Sequence, residues 1–463
     1  MTAQVHPPGY SPLILTDPTF EFLESDAYRH FLFKYVLETG VRLVLHRHAQ
    51  RADWPYIDTK FNPNTGSDLP AESYEMIYPW LLGRGMEALV LHLESLDMLG
   101  LSSGEKEIAK EVFPQLIEST TDAILEIFSR YKGRCPFRIG RSFEMNPLNG
   151  SQNAPDPGRS GAGDIFCAKA LLLSTSPEAR QIGLEILDRI AGHVKQGFFL
   201  LEAAKGQPYG QSQCGHMLFM AVPALIARFD FDDNARACHF SHSCELLELV
   251  LDRHFDPATG LFSEYVGQTG HRGEYLDPGH CAELVGLGLS AIHAMEMDGT
   301  GMSPERTHLF IRAKHLLPEI LIGAIKAGFC EQQEGIFKAV NNRTGEIIND
   351  DMPWWNLPEA MRAALFAAKA TSCPDTRREC IDIYAKCHNA YFRHYLNPDM
   401  MLFPFQTRSG KSGQVLNCAP AIPEGDPLYH SNISFLDILS RLAARDTGRA
   451  DMFQTHYKHK PMP

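Results

Sequence analysis

Residues 304–370 read PERTHLFIRAKHLLPEILIGAIKAGFCEQQEGIFKAVNNRTGEIINDDMPWWNLPEAMRAALFAAKA, and this stretch holds the repeating unit of the chain. Its first part, 304–328, has helical periodicity, and so does its last, 356–370. Between them QQEGIFKAVNNRTGEII carries Gly and Asn turn signals and reads as a short β-hairpin. The unit is therefore helix, long loop, helix. Working outward, helices are expected near 20–44, 77–99, 105–131, 161–174, 177–196, 213–229, 236–253, 279–296, 304–328, 356–370, 374–395 and 430–446. In 182–196, Ile182, Leu184, Ile186, Leu187 and Ile190 mark one apolar stripe. Two further long loops, FDPATGLFSEYVG and YLNPDMMLFPFQTRSGK, read as β-hairpins in the same way.

Connection lengths alternate. The links after the second, fourth, sixth, eighth and tenth helices are short: LSSGE, STSPEA, DFDDNA, DGTGMSPE and TSCPD. Twelve helices joined this way make six antiparallel hairpins. Six hairpins can close into an all-α ring, an (α/α)6 barrel, with one helix of each inside and the long loops at one end. A helical solenoid is the competing architecture. No linker or low-complexity segment cuts the chain, so one domain over 1–463 is expected.

Composition narrows the function. Apolar residues make up 44% of 463, which suits a globular core, and the net charge is −13. That charge argues against nucleic acid and against an anionic membrane surface. No apolar run reaches about 18 residues, so no membrane span is expected. The N-terminus, MTAQVHPPGYSPLIL, lacks a basic region followed by a long apolar one. Eleven cysteines, an odd number without a CxxC pair, read as buried thiols in a reducing compartment. A cytoplasmic protein, monomer or homodimer, follows as the expectation.

The even-numbered helices begin with residues that packing does not require. Arg84 follows YPWLLG, Asp164 lies in SGAGDIFCAKA, and His216 in QSQCGHMLF. His280 and Glu283 lie in YLDPGHCAELVGLGL, Trp354, Trp355 and Glu359 in MPWWNLPEAMRAAL, and His430 in DPLYHSNISFLDIL. In a closed ring all of them face one mouth. Each also has a plainer reading. Asp164 suits a first helical turn, the tryptophans suit a core, and a lone histidine is commonly a satisfied polar residue. His280 with Glu283 is stronger, because i and i+3 share a face and a carboxylate there can fix the imidazole tautomer. Pro278-Gly279 would let backbone approach a ligand.

At these residues the chain resembles the N-acylglucosamine 2-epimerase superfamily, which includes cellobiose 2-epimerases and mannose-type aldose–ketose isomerases. PGHCAE (278–283) is similar to the family's PGHxxE, WWNLPEA (354–360) to its WWxxxEA, and PLYHSNIS (427–434) to its late Pro-Tyr-His segment. GHML (215–218) resembles the mid-chain histidine motif. The chain departs from the pattern at Asp277, where the family often has His, at Ser212, and in the IPEGD lead-in to His430. It also carries extra sequence near 132–160. The resemblance implies an (α/α)6 barrel and sugar chemistry with no metal and no cofactor. It implies His280 and His430 as catalytic acid/bases, with Arg84, His216, Glu283, Trp355 and Glu359 in the pocket.

The chemistry implied is a proton transfer at C2 of an open-chain sugar, through an enediolate. Imidazole is matched to that task near neutral pH. Arg84 is the expected partner of the enediolate charge, Glu283 the expected partner of His280, and Trp355 a face for a sugar ring. Clustered helix N-termini should hold the histidine pKa values down. Two other classes compete. A glycoside hydrolase or lyase would use paired carboxylates from Asp164, Glu283, Glu359 or Asp350–Asp351. A sugar-binding protein would need the tryptophans but not both histidines. Zinc held by His216, His280 and His430 is the metal alternative, with no local HxxxH or HxH behind it.

Overall fold

The computed structural model describes residues 10–144, 158–200, 211–229, 231–267, 269–416 and 424–443. All twelve expected helices are present within them. We label them α1 (Glu38–Gln50), α2 (Pro79–Ser95), α3 (Ser103–Arg130), α4 (Ala162–Leu172), α5 (Pro177–Gln196) and α6 (Cys214–Phe219 with Val222–Ile226). The second half holds α7 (Asp233–Arg253), α8 (Pro278–Asp298), α9 (Pro304–Gly328), α10 (Asn356–Ala370), α11 (Pro374–His394) and α12 (Ser434–Ala443).

Local chemistry sets the ends. Ser102 and Glu105 form a reciprocal capping box on α3, and Ser303 caps α9 ahead of Pro304. The first helix is not continuous from 20 to 44. Ser25 caps Tyr28 and starts a new helix, Asp26–Leu32, and a π-helical turn, Phe33–Leu37, precedes α1. The sixth is also split, at Met220-Ala221, just ahead of Pro223, which has no N–H to continue the ladder. A π-helical turn, Tyr429–Ile433, opens the last. Much of the extra segment near 132–160, namely 145–157, lies outside the described residues.

The even-numbered helices touch in the order α2, α4, α6, α8, α10, α12, and the π-turn before α12 returns to α2. The ring is therefore closed, and the solenoid is ruled out. The fold is an (α/α)6 barrel. Burial follows the layers: every residue of α10 from Asn356 to Ala368 is buried, whereas α9 buries one stripe. Close approach is built in. A Cβ on Gly83 of α2 would lie 2.5 Å from the Phe166 carbonyl oxygen of α4.

Short strands stitch neighbouring long loops together around one end. Gln211–Ser212 pairs with Tyr265–Val266, Tyr275–Leu276 with Ala339–Asn341, and Asp351–Pro353 with Thr407–Ser409. This girdle fixes the loops from which part of the site is made. No helix among the described residues is long and apolar enough to cross a membrane.

Candidate active site

A cavity of about 320 Å³ opens at the girdled end, within the range of small-molecule sites. All six inner helices contribute to its wall: Arg84, Phe166, Met217 and His280 from α2, α4, α6 and α8, Trp355 at the start of α10, and His430 from the π-turn. Of the residues singled out in the sequence, Arg84, His280, Glu283, Trp354, Trp355 and His430 line it. Asp164, His216 and Glu359 do not.

Those three have other places. Asp164 is buried and accepts from the backbone N–H of Cys135 (2.6 Å) and Gly161 (3.1 Å), with Arg134 at 3.4 Å. It is a helix cap that also ties down the preceding loop, and burial pushes its carboxyl up. His216 is fully buried, edge-on to His254 at 5.5 Å. Burial, with His254 alongside, holds its pKa down at about 3. His216, His280 and His430 thus do not converge on one point in the cavity. Glu359 stands one layer behind His430.

The two cavity histidines share one indole. His280 and His430 lie 5.6 and 5.3 Å from Trp355, with rings tilted by 34° and 32°. The Nδ1 of His430 faces Glu359 Oε1 at 2.9 Å, and the same oxygen accepts from Ser434 Oγ at 2.7 Å. Arg362 holds the other carboxylate oxygen, and its second arm reaches Asp437 at 3.1 Å. Burial opposes the charge on Glu359, but Arg362 and His430 overcome it and hold its pKa at about 2. Glu359 is then a carboxylate, which only accepts, so a proton sits on His430 Nδ1 and Nε2 is the ring nitrogen not engaged by Glu359.

His280 is arranged differently. Its Nδ1 faces Glu264 Oε2 at 3.2 Å and Asp277 Oδ2 at 3.4 Å. Glu264 is buried and also accepts from Ser212 Oγ (2.7 Å) and Gln213 Nε2 (3.0 Å). Burial pulls the His280 pKa down, yet the Asp277 and Glu264 carboxylates win and raise it. The expectation that helix N-termini would hold this histidine down is therefore wrong, because two carboxylates outweigh the dipoles. The expectation that Glu283 orients His280 also fails. Glu283 is buried with Oε1 unpartnered among the described residues, and Glu264 occupies the position instead. Nor does Gly279 serve a ligand: a Cβ there would lie 2.1 Å from Asn356 Oδ1, so the glycine lets α8 approach α10.

Arg84 sits among Phe166 (4.3 Å), Trp80 (4.8 Å) and Tyr429 (4.9 Å), with its guanidinium over the rings. It has no carboxylate partner among the described residues, so its charge is available to the cavity. Glu283, Glu359 and His430 bring ligand atoms within 4.8 Å of one another, as a metal site would require. Glu359 there already serves Arg362, Ser434 and His430, and the guanidinium beside it opposes a cation.

Among the wall residues not singled out from the sequence, Glu264, Lys338 and Gln406 stand in equivalent places. A repeat links them. Phe255 pairs with Phe262, Phe329 with Ile336 and Leu396 with Pro404, and each of the three lies two residues beyond that pair. The next amide in each loop returns to the end of its helix: Ser263 to His254, Phe337 to Gly328, Phe405 to Tyr395. The signal was thus present in the hairpins FDPATGLFSEYVG, QQEGIFKAVNNRTGEII and YLNPDMMLFPFQTRSGK, once aligned on their strands.

Comparison with known proteins agrees with this picture. The sequence profile of the N-acylglucosamine 2-epimerase (GlcNAc 2-epimerase) family matches residues 165–413. A cellobiose 2-epimerase from Bacillus thermoamylovorans superimposes with a TM-score of 0.63 at 13% identity, covering 90% of this chain and 98% of its own. A D-mannose isomerase gives 0.63 at 13%, covering 92% and 99%. A cellobiose 2-epimerase from Spirochaeta thermophila gives 0.58 at 12%, covering 87% and 97%. None of the curated proteins matches the chain in sequence. The family profile covers more than half of the residues, and the barrel carries its architecture: the chain belongs to the N-acylglucosamine 2-epimerase family of carbohydrate epimerases and isomerases.

Proposed function

We propose that this chain is a sugar 2-epimerase or aldose–ketose isomerase that moves the C2 proton with His280 and His430. The observation that carries the reading is the pair itself. Two imidazoles flank one indole in one cavity, and each turns Nδ1 to carboxylate, leaving Nε2 for a substrate. A base removes the C2 proton because the adjacent carbonyl delocalises the carbanion as an enediolate. In epimerisation the second histidine returns a proton to the opposite face. In isomerisation one histidine carries the proton from C2 to C1. The carboxylate behind each ring stabilises the imidazolium that forms on proton uptake. The Arg84 guanidinium, without a carboxylate partner among the described residues, balances the enediolate charge.

The cavity carboxylates support this reading over glycoside hydrolysis. Glu264 is committed to His280, Asp277 to Lys338 and the start of α8, Glu424 to Lys60 and Thr59, and Asp426 to Ser431. That leaves Glu283 rather than a facing pair. Asp350 and Asp351 do not line the cavity.

The test is proton NMR in deuterated water with mannose, glucose, N-acetylmannosamine and cellobiose. Deuterium at C2 of one of them, lost in both His280→Ala and His430→Ala while the fold survives, is the expected result. Wild-type exchange in either variant would break the assignment. No exchange, with sugar released from a glycoside panel, would favour a hydrolase.

A further inference from the structure

His280 is enclosed by charge from three elements. Glu264 comes from the loop after α7, Asp277 caps α8, and Lys338 comes from the loop after α9. Glu283 lies one turn along α8, and His430 stands across Trp355. Asp277 divides its work. Its Oδ1 accepts the backbone N–H of Gly279 (3.1 Å) and His280 (3.2 Å). Its Oδ2 is the oxygen 3.4 Å from His280 Nδ1, and Lys338 Nζ holds that same oxygen at 2.5 Å. The ammonium also lies over the Trp355 ring, 5.2 Å from its centre.

We propose that Lys338 is a positioning residue that acts through Asp277 to fix both the orientation and the charge of the His280 imidazole. The inference rests on the proposed proton-transfer function for its kinetic meaning, but not for its physical content. The argument is one of competition. Two carboxylates face a single N–H, and only one can take it in good geometry. Lys338 occupies the Asp277 oxygen that would otherwise compete, so Nδ1 turns to Glu264 and Nε2 stays on the cavity. The ammonium also neutralises one of two negative charges beside the ring. Without it, two uncompensated carboxylates in a buried site would hold His280 as imidazolium and withdraw it from service as a base.

Lys338 is one of the three equivalent loop residues facing the cavity.

The test is a titration of His280 in the full chain with 13C-labelled histidine. Its Cε1–H signal is identified by its loss in His280→Gln. Lys338→Met is expected to tighten proton binding at His280 about tenfold, moving the midpoint up by about one pH unit. Asp277→Asn should move it down, and Lys338→Arg should restore the wild-type value to within about 0.3 unit. The rate of C2 exchange should follow, with kcat at neutral pH down about tenfold in Lys338→Met and KM within about twofold. An unchanged midpoint in Lys338→Met overturns the proposal. If that variant does not fold, a midpoint in Asp277→Asn that stays put or rises does the same. The titration is independent of turnover: shifted midpoints in a protein that exchanges no sugar proton would uphold the positioning role and defeat the functional reading.

Discussion

The two histidine stations of the cavity solve one problem with opposite charge arithmetic. At His430 one carboxylate, Glu359, meets Nδ1 and is backed by a guanidinium on the next turn of the same helix. At His280 two carboxylates, Glu264 and Asp277, face the ring and one ammonium balances them. The first station stands on the inner wall of the barrel, where α10 packs against α12. The second joins His280 at the start of α8 to Glu264 and Lys338 from loops that the strand girdle and bonds to the helix ends hold in place. The difference teaches where adjustability resides. The His430 station is carried by the barrel wall alone, whereas the charge around His280 is set by loop side chains, so single substitutions there are expected to retune it.

The largest expected effect tests the His430 station. Glu359→Ala would leave Arg362 buried with only Asp437 and remove the partner of His430. Breaking a buried pair from one side costs about 3–5 kcal/mol, and urea unfolding would register it. The milder Glu359→Gln keeps the shape, so its turnover can be read; a fall of about 10²-fold or more is expected. Near-normal turnover in Glu359→Gln would remove Glu359 from the role we propose for it. Next in size is Glu264→Gln. Asp277 can take over the Nδ1 proton there, so the expected loss is smaller, about tenfold in kcat, with stability changed by about 1 kcal/mol. If Glu264→Gln and Glu359→Gln lose the same amount, the contrast between the two stations collapses.

The sequence carries the two stations unequally, and for a physical reason. Helical period, proline starts and the alternation of short and long links predict the ring, because each is a local consequence of backbone chemistry. The His430 station follows from segments around helix starts: WWNLPEA holds Glu359 and PLYHSNIS holds His430. The His280 station is only half visible. His280 stands in PGHCAE, but Glu264 and Lys338 lie 16 residues before it and 58 after, in loops whose register appears only once the strands pair. Spacing alone favoured Glu283 as the partner, since i+3 shares a face. The structure shows that a shared helical face does not prescribe contact when a loop carboxylate reaches Nδ1 first. Asp164 and His216 were drawn to the site by their position at helix starts. Their neighbours Gly163 and Phe166, and Cys214 and Met217, line the cavity, so it is direction around the helix that turns Asp164 and His216 away from it.

His216 supplies the smallest expected effect and the sharpest contrast, because it is a buried histidine with the opposite shift to His280. Its folded pKa of about 3 lies below the ordinary histidine value of 6.5, so the unfolded chain binds a proton that the folded chain refuses. Stability from this group is fully present above about pH 6.5 and is lost as pH falls toward 3. Between pH 7 and pH 5 the loss from one such group is about 2 kcal/mol. His254, held at about 4 by the same cause, adds to it. In His216→Phe the ring is retained without the titration, so the variant should lose less stability than wild type over that interval. The comparison to make is the change in urea midpoint from pH 7 to pH 5 in each protein. Equal changes would mean that His216 is not the acid-sensitive group. A larger change in the variant would mean that burial does not govern its protonation, and the contrast with His280 would have to be drawn elsewhere.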